Sequence, residues 1–476
     1  MDSRAYVARR ACGFAIALML PSFAHAQSLM WSASTYAQVP PWQIAPFGEQ
    51  QRGTLADSPF MPDWDPSSRR VMFISDAGEP GIVLAGRAEI SDVGMPVQPA
   101  GTPWLAKISR ADGTALWTWH LDDYAEGYFA EAAADAAGDV VAAGTQRFAD
   151  NSGGPLVISV DGATGTTRWR VDGPAQFSAL GVALDPDGNA LVTAAQDHVR
   201  QDVSKYARDT GALLWSSAMP DYAVWDDALV RVDGNGDVVA AGAYELSASR
   251  TVVEDGLQIA KFRGTDGQVL WSRRFVNAFM ATVHALRVLP DGDIVLAGDF
   301  ANGVDLVRLD ATTGTTAWQR GDVGASDVLI DPEGQVVVSG TVNAPGTTIP
   351  VGDVQRLDAT NGSTLWRRQF SPDAYTVAWR MEIGSDGQLL VGLSDGDGAI
   401  PFEAAGLDLA TGGLRWWFAS GDRGYEETFP VGIVQDADGA LYFGGFNYVP
   451  TDADPTWTTF KLAPIAADTI FASGLD

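Results

Sequence analysis

Aromatic residues beside acidic residues are the groups in this 476-residue sequence most suited to binding a ligand. They recur in HLDDYAEGY (120–128), PDYAVWDD (220–227), SPDAYTVAW (371–379) and GDRGYEETF (421–429). An aromatic ring can stack on a sugar or pack against a protein, and a carboxylate adds a hydrogen-bond acceptor. The alternative is that some of these rings fill the centre of the fold. The residues expected to bind a ligand are Tyr124, Tyr222, Trp225, Asp226, Asp227, Tyr375, Trp379, Tyr425 and Glu426.

Two Asp-rich segments alternate oxygen-bearing side chains in a way that could bind calcium. A complete EF-hand loop also needs a bidentate Glu farther on, and neither segment has one at the required spacing. Asp at the start of a tight turn explains the same residues, because its side chain accepts hydrogen bonds from the turn backbone. We therefore expect turns rather than calcium sites at Asp185, Asp187 and Asn189, and at Asp233, Asn235 and Asp237.

Other metal and catalytic chemistries have little support. His120, His198 and His284 are widely spaced, and Cys12 is the single Cys, which excludes disulfide scaffolds, Cys-ligated zinc and iron–sulfur sites. Neither a His-Glu-x-x-His nor a Gly-x-x-x-x-Gly-Lys motif occurs. Acidic pairs such as Asp122-Asp123 could hydrolyse a glycoside, but only at a spatial separation that a sequence does not show. A glycan-active enzyme is thus a secondary alternative.

The overall charge excludes one class of partner. With 60 acidic and 31 basic residues, the formal net charge is −29, so the chain is not expected to bind nucleic acid, because phosphate binding depends on cationic side chains. The 46% hydrophobic and 10% aromatic content excludes intrinsic disorder.

The first 26 residues have the pattern of a cleaved export signal. Arg4, Arg9 and Arg10 precede the apolar run CGFAIALML (12–20), and Ala24-His25-Ala26 fits the small-x-small cleavage rule. The apolar run is too short to span a bilayer, and no transmembrane segment is expected elsewhere. We therefore predict a protein of the periplasm or extracellular space that loses Cys12 on processing.

An internal repeat of about 50 residues determines the predicted fold. Seven repeats carry a Gly followed four residues later by Trp, from Gly113/Trp117 in the first to Gly412/Trp416 in the last. Before each pair comes an Asp/Gly turn and then a short apolar strand, as in DGNGDVVAAG (233–242). Four short strands per repeat, without helical periodicity, predict a β-propeller of four-stranded antiparallel blades.

Eight Asp/Gly turns but only seven Gly-x-x-x-Trp strands indicate that the last blade lacks its fourth strand. The orphan segment SLMWS (28–32), with Trp31, can supply it and close the ring. This predicts eight blades, with seven as the alternative. The predicted organisation is a signal peptide (1–26), a closing strand with a loop (27–67), the propeller (68–463) and a C-terminal tail (464–476).

The segments DATTGTTAW (310–318), DATNGSTLW (358–366) and DLATGGLRW (408–416) resemble the repeat of pyrroloquinoline-quinone-type propellers. That family includes quinoprotein alcohol dehydrogenases and a non-enzymatic bacterial outer-membrane assembly factor. The resemblance implies an eight-bladed fold and raises quinone and calcium as possible cofactors. Many of the dehydrogenases carry a vicinal disulfide beside the cofactor, which a processed chain without Cys cannot form, and their calcium-ligand and Asp-base residues do not map here. We therefore expect no cofactor.

All four Lys residues of the chain and two of its Arg residues occupy the same strand position in six of the repeats. They could form a cationic ring for an anionic ligand, or they could pair with neighbouring acids at the edges of the blades. We favour the structural role. These residues are Lys107, Lys205, Lys261, Arg308, Arg356 and Lys461.

Loop lengths indicate which face of the ring binds. The tight turns share one face, whereas the longer connections at 87–103, 145–155, 243–256, 341–353 and 446–455 share the other. Binding groups collect on loops that a rigid scaffold holds in place. The sequence therefore favours a non-catalytic protein that binds a protein or carbohydrate on this long-loop face, with a quinoprotein-like oxidoreductase as the alternative.

Overall fold

The computed structural model describes the chain from residue 29 to residue 462 with gaps. The described residues are 29–34, 43–45, 73–76, 81–91, 101–110, 115–121, 126–147, 153–174, 177–196, 200–220, 223–248, 251–277, 281–344, 346–370, 376–395, 403–419, 427–436, 438–449 and 453–462. The predicted signal peptide (1–26) and tail (464–476) lie outside them. No helix among these residues has the length and apolar character needed to cross a membrane.

Within the described residues, 33 strands form eight antiparallel sheets, which we number as blades 1 to 8. The first strand of the chain, β1 (Leu29–Ser34), lies in blade 8. Blade 1 comprises β2 (Gln43–Ala45), β3 (Phe73–Asp76), β4 (Gly81–Ser91), β5 (Gly101–Ser109) and β6 (Ala115–His120). Blade 2 comprises β7 (Glu126–Ala134), β8 (Val140–Arg147), β9 (Gly153–Val160) and β10 (Thr167–Asp172). Blade 3 comprises β11 (Phe177–Leu184), β12 (Ala190–Gln196), β13 (Arg200–Tyr206) and β14 (Leu213–Ala218).

The remaining blades repeat the same order. Blade 4 comprises β15 (Ala223–Val232), β16 (Val238–Ala248), β17 (Thr251–Phe262) and β18 (Val269–Asn277). Blade 5 comprises β19 (Val283–Val288), β20 (Ile294–Phe300), β21 (Val304–Leu309) and β22 (Thr316–Arg320), with a short 3-10 turn at Ala301–Gly303. Blade 6 comprises β23 (Ala325–Ile330), β24 (Val336–Asn343), β25 (Pro350–Leu357) and β26 (Thr364–Gln369). Blade 7 comprises β27 (Thr376–Ile383), β28 (Gln388–Asp395), β29 (Glu403–Asp408) and β30 (Leu414–Ala419), and blade 8 comprises β31 (Glu427–Gln435), β32 (Leu441–Val449), β33 (Ala453–Leu462) and β1.

The blades form a closed ring. The innermost strand of each blade contacts that of the next, and the series ends with β31 of blade 8 against β3 of blade 1. The hydroxyl of Tyr442 donates to Asp436 Oδ2 at 2.9 Å and lies 3.5 Å from the carbonyl oxygen of Arg110, which ties blade 8 to blade 1. Strand β1 pairs antiparallel with β33 and places Trp31 opposite Lys461. This pairing confirms the prediction of eight blades closed by an N-terminal strand.

Glycine and tryptophan recur together because the Trp that ends each of blades 1 to 6 packs beneath a turn of the following blade. In blade 3 the indole nitrogen of Trp215 donates to the carbonyl oxygen of Gly264 at 3.0 Å. Gly267, in the same blade 4 turn, has φ +73°, and a Cβ there would lie 2.5 Å from the Trp215 ring. The Gly four residues before a Trp therefore contacts the Trp of the preceding blade, and only a residue without Cβ fits this position.

The cations at the shared strand position, here called the cation register, also stabilise contacts between neighbouring blades. Lys261 Nζ lies 2.7 Å from Asp233 Oδ2 and 3.2 Å from the carbonyl oxygen of Ala311 in the next blade. Lys205 repeats this arrangement, with Asp185 Oδ2 at 2.7 Å and the Gly264 carbonyl oxygen at 2.9 Å. These contacts confirm the structural role for both residues.

Arg356 repeats the pair in blade 6, where its Nε lies 2.7 Å from Asp331 Oδ2. In blade 5, Leu289 replaces the turn aspartate, and Arg308 pairs with Asp291 and Asp293 instead. In blade 2, Ser159 replaces the cation, and Arg208 of blade 3 reaches Asp135 at 2.7 Å.

Blade 7 lacks both members of the pair, because Gly384 and Gly406 occupy the two positions. Where one member of the pair is missing, another charged side chain pairs with the remaining member, and in blade 7 both members are missing. This is expected because a single charge is costly to bury without its counter-ion.

Two sequence predictions of loops are wrong. The connections predicted at 87–103, 145–155, 243–256, 341–353 and 446–455 begin and end in paired strand where the structure describes them. In blade 4, β16 and β17 pair as far as Ala248 opposite Thr251. Cross-strand contacts such as Tyr244 Oη to Glu254 Oε1 at 2.9 Å extend this hairpin. Within the predicted loop between residues 33 and 67, β2 pairs with β4 of blade 1.

Candidate binding site in the central channel

The structure assigns four of the nine predicted ligand residues to innermost strands rather than to loops. Trp225, Asp226 and Asp227 lie in β15 and Trp379 lies in β27. The prediction that they stand on loops is therefore wrong, because the strands extend farther along the channel than the loop pattern implied. The other five residues, Tyr124, Tyr222, Tyr375, Tyr425 and Glu426, lie outside the described residues.

The innermost strands of blades 2 to 8 share an irregularity in register. One residue is inserted relative to the second strand in six of these blades, for example between Ala179 and Gly181 and between Ala378 and Arg380. In β15 the insertion is longer and spans the residues between Ala223 and Ala228. Bulges redirect side chains and are common beside active sites. Trp379 and the Trp225–Asp227 segment both occupy such positions.

Trp379 is anchored rather than free. Its indole nitrogen donates to Ser394 Oγ at 2.5 Å, and its ring is half-buried. Ser394 belongs to the sequence Gly392-Leu393-Ser394-Asp395-Gly396, which matches the Gly-x-Ser-x-Gly pattern of hydrolase nucleophiles. Here, however, the Ser lies in the second strand of a blade instead of a strand-to-helix turn, and its oxygen already accepts the Trp379 hydrogen bond. The pattern does not form a nucleophile site.

A second polar group lies at the bulge of blade 5. His284 Nδ1 is 2.8 Å from the carbonyl oxygen of Ala325, and its Nε2 is 3.6 Å from Asp299 Oδ2. Burial raises the pKa of Asp299, but the hydrogen bond and charge of His284 outweigh it and lower that pKa below its usual value. Burial raises the pKa of the neighbouring Asp305 carboxyl. This group binds blade 5 to blade 6 at the channel wall.

The most concentrated charges of the channel come from residues that the sequence did not single out. Glu131 of blade 2 accepts a hydrogen bond from the backbone N–H of Val182 in blade 3 at 2.9 Å through Oε2. Its other oxygen, Oε1, lies 3.2 Å from Arg231 NH1 of blade 4. The Glu131 side chain thus extends past the inner edge of blade 3, where Gly181 leaves room for it.

A related arrangement, in which the Arg belongs to the preceding blade, occurs across the ring. Asp327 of blade 6 accepts the backbone N–H of Met381 in blade 7 at 3.1 Å through Oδ2, and its Oδ1 lies 3.1 Å from Arg287 NH2 of blade 5. Each carboxylate stands four residues before the turn residue of its blade, and each Arg stands two before its own. Single residues in different repeats give no periodic signal, which is why sequence reasoning missed them.

Arg380 of blade 7 occupies the position that Glu131 and Asp327 hold in their blades. It is half-buried and, among the described residues, has no hydrogen bond or ion pair. Burial lowers the pKa of Arg287, and the charges of Arg231 and Arg380 lower it further against the opposing effects of Asp327 and Glu131. Three guanidinium groups and two carboxylates therefore meet in the channel of an acidic protein.

Two described carboxylates of the channel are already engaged by donors of the protein itself. Each oxygen of Glu131 and Asp327 already accepts a backbone N–H or pairs with an Arg, so neither carboxylate is available as a metal ligand. Over the described ranges, no group of three or more His, Cys, Asp or Glu residues is arranged to hold a metal ion.

The Asp-rich turns use their oxygens internally as well. Asp185 Oδ1 accepts the N–H groups of Asp187 and Asn189, and Asp233 Oδ1 accepts those of Asn235 and Asp237. The predicted role of both segments as self-capping turns is confirmed.

Comparison with known proteins supports the fold. A family profile described as "Outer membrane protein assembly factor BamB" matches residues 102–218 and 199–351. No curated protein matches the sequence.

Several solved structures are similar in fold at low sequence identity. A europium-containing methanol dehydrogenase is 12% identical over 88% of this chain and 98% of its own, with a TM-score of 0.52. The quinohemoprotein alcohol dehydrogenase of Comamonas testosteroni is 12% identical over 87% of this chain and 80% of its own, with a TM-score of 0.51. The quinohemoprotein alcohol dehydrogenase ADHIIG of Pseudomonas putida HK5 is 13% identical over 86% and 78%, with a TM-score of 0.50.

Proposed function

The chain belongs to the family of pyrroloquinoline-quinone-like repeat β-propellers, and from this premise we propose that it is an exported, non-catalytic scaffold that binds a protein partner. The partner would dock on the long-loop face, where the channel opens among the first residues of the innermost strands. The matching family is described as an outer-membrane protein assembly factor, which supports a protein rather than a carbohydrate ligand.

The observation that carries this proposal is the difference between the two faces of the ring. On the tight-turn face, polar groups satisfy one another: Asp161 Oδ1 accepts the N–H groups of Ala163 and Thr164 and the Thr164 hydroxyl. Asp310 and Asp408 repeat this pattern in blades 5 and 7. Toward the other face, the innermost strands are bulged, and two of the bulges contain Trp225 and Trp379.

A matched pair of double variants tests the choice of face. Trp225→Ala/Trp379→Ala removes two Trp side chains from bulged innermost strands. Leu213→Ala/Leu214→Ala removes two apolar side chains, 56% and 52% exposed, from the outer edge of blade 3. Immobilised wild-type protein and both variants are incubated with a cell-envelope extract, and the bound proteins are compared by quantitative mass spectrometry.

We expect the partner to be lost from the Trp variant, at least tenfold relative to wild type, and retained by the Leu variant. Retention by the Trp variant and loss from the Leu variant would move the docking surface to the outer edge and refute the proposal. Far-UV circular dichroism of both variants checks that the ring stays folded.

A further inference from the structure

We propose that the channel contains a binding site for a carboxylate group between blades 7 and 8, formed by the Arg380 guanidinium and the backbone N–H of Ile433. This site goes beyond partner docking, because it binds a small anionic group within the channel wall and needs no protein partner.

The protein's own side chains show how such a site binds. Glu131 of blade 2 accepts the inner-edge N–H of Val182 in blade 3 and pairs with Arg231 of blade 4. Asp327 of blade 6 accepts the N–H of Met381 in blade 7 and pairs with Arg287 of blade 5. Both carboxylates thus receive one charged and one backbone donor. Guanidinium groups match carboxylates in geometry, and such charge-assisted hydrogen bonds are stronger than neutral ones.

In blade 7 the position of these two carboxylates holds Arg380 instead, so the carboxylate is replaced by a cation. Arg380 stands four residues before the turn residue Gly384, as Glu131 stands before Asp135 and Asp327 before Asp331. Its guanidinium makes no ion pair or hydrogen bond within the part of the chain that the structure describes. A half-buried Arg without a counter-ion favours an anion from outside the chain.

Ile433 supplies the backbone donor expected from the repeat. Its register against β32, opposite Phe443, is the register of Val182 opposite Val192 and of Met381 opposite Val391. Because strand register sets the direction of each N–H, the Ile433 N–H points to the channel edge as those of Val182 and Met381 do. No described side chain accepts it, and Ile433 itself is 3% exposed.

The surrounding charge also favours an anion. Arg231, Arg287 and Arg380 outnumber Glu131 and Asp327, so the described cluster has an excess positive charge although the whole chain has a net charge of −29. An acidic exterior repels anions in general, whereas a local excess of positive charge attracts a small one that can reach it. The ligand chemistry is a carboxylate, either of a free organic acid or of an acidic side chain of a peptide.

Titration calorimetry with succinate at constant ionic strength tests the site, using the full processed chain. The variants are Arg380→Gln, Arg380→Glu and, as a matched control on the outer strand of the same blade, Arg415→Gln, whose guanidinium is 42% exposed and pairs with Asp408. A peptide with several Glu residues and an amidated C-terminus, added in competition with succinate, distinguishes the two sources of carboxylate. Thermal unfolding without ligand is measured for every variant.

We expect saturable binding of one succinate to wild type, at least tenfold weaker binding to Arg380→Gln, and unchanged binding to Arg415→Gln. Competition by the peptide would assign the site to acidic peptides, and its absence to free acids; both results support a carboxylate site. Arg380→Glu restores an internal carboxylate at the position of Glu131 and Asp327, so it should lose succinate binding and keep or raise the melting temperature.

Absence of succinate binding to wild type, or equal binding to Arg380→Gln, would overturn the proposal. A melting temperature of Arg380→Glu well below wild type would also overturn it, because Arg380 would then be a structural cation with an internal counter-charge.

Discussion

Replacing Lys261 by Met tests the structural role of the cation register. The Lys261 side chain is 7% exposed and its partner Asp233 is 1% exposed, so the variant leaves a buried carboxylate without its counter-ion. Breaking a buried ion pair on one side typically costs about 3–5 kcal/mol.

Contacts that survive place the cost at the lower end. Asp233 Oδ1 still accepts the N–H groups of Asn235 and Asp237 at 2.8 and 2.9 Å, and the Ala311 carbonyl oxygen still accepts the Trp271 indole at 3.0 Å. We therefore expect a loss of about 3 kcal/mol in the free energy of unfolding. With an unfolding entropy of about 2 cal/mol/K per residue, a ring of this size that unfolds as one unit should melt about 3 °C lower.

The assay is chemical and thermal unfolding of wild type, Lys261→Met, Asp233→Leu and the double variant. The double variant removes both charges, as in blade 7, where Gly384 and Gly406 occupy the two positions. It should recover most of the loss, which gives a coupling energy of about 2 kcal/mol in the double-mutant cycle.

Arg263→Met, which breaks an exposed pair with Asp266 (44% and 53% exposed), serves as a control and should change stability by less than about 1 kcal/mol. If Lys261→Met melted like wild type, Lys261 would not be a packing residue, and the interpretation of the whole register would fail.

Three further predictions follow from the packing. Gly267→Ala places a Cβ 2.5 Å from the Trp215 ring at φ +73° and should lower the free energy of unfolding by about 2–4 kcal/mol. Gly236→Ala, at φ +81° with no atom within 4 Å of the added Cβ, should lower it by about 1–2 kcal/mol through backbone strain alone. Equal losses in denaturant titrations would refute the packing of the turn on the indole. A chain beginning at residue 35 lacks β1 and exposes the edge of β33, so size-exclusion chromatography should show association and calorimetry a lower melting temperature; a monomer as stable as the full processed chain would contradict closure by β1. Burial raises the pKa of Asp185, but hydrogen bonds from Lys205 and Asn189 prevail and lower this pKa below 3.8. The carboxylate therefore contributes stability above that pH, and the contribution is lost as the pH falls through the lowered pKa of the folded state. Asp185→Asn should lose less unfolding free energy than wild type between about pH 4 and pH 2, and an equal loss in both proteins would refute a stabilising role of the ionised Asp185.

The sequence was a good guide to the ring because each repeat specifies its own turns and its contact with the next blade. The spacing of Gly and Trp reflects a physical requirement at every interface, as Gly267 against Trp215 shows, and so it survives in nearly every repeat. The orphan Trp31 was informative for the same reason, since it occupies the register position opposite Lys461.

The channel could not be predicted in this way because its chemistry breaks the repeat. Glu131, Asp327 and Arg380 share one position in three blades but differ in type and charge, and their partners come from blades that are distant in sequence. Loop length was also a poor guide, because the hairpin of β16 and β17 continues its pairing beyond the part of the blade that repeats in the sequence. The positions of Trp225 and Trp379 depend on bulges, which composition does not reveal.

Site-specific photocrosslinking in living cells tests the proposed binding face most directly. A photoreactive phenylalanine analogue is introduced at position 225 or 379 in the bulged strands, and at Thr164 or Thr312 in exposed turns of the opposite face. If the long-loop face binds a protein partner, covalent adducts of one defined mass should form from positions 225 and 379 and not from 164 or 312. Adducts from positions 164 and 312 alone, or none from any position in cells that make the protein, would contradict the proposed function.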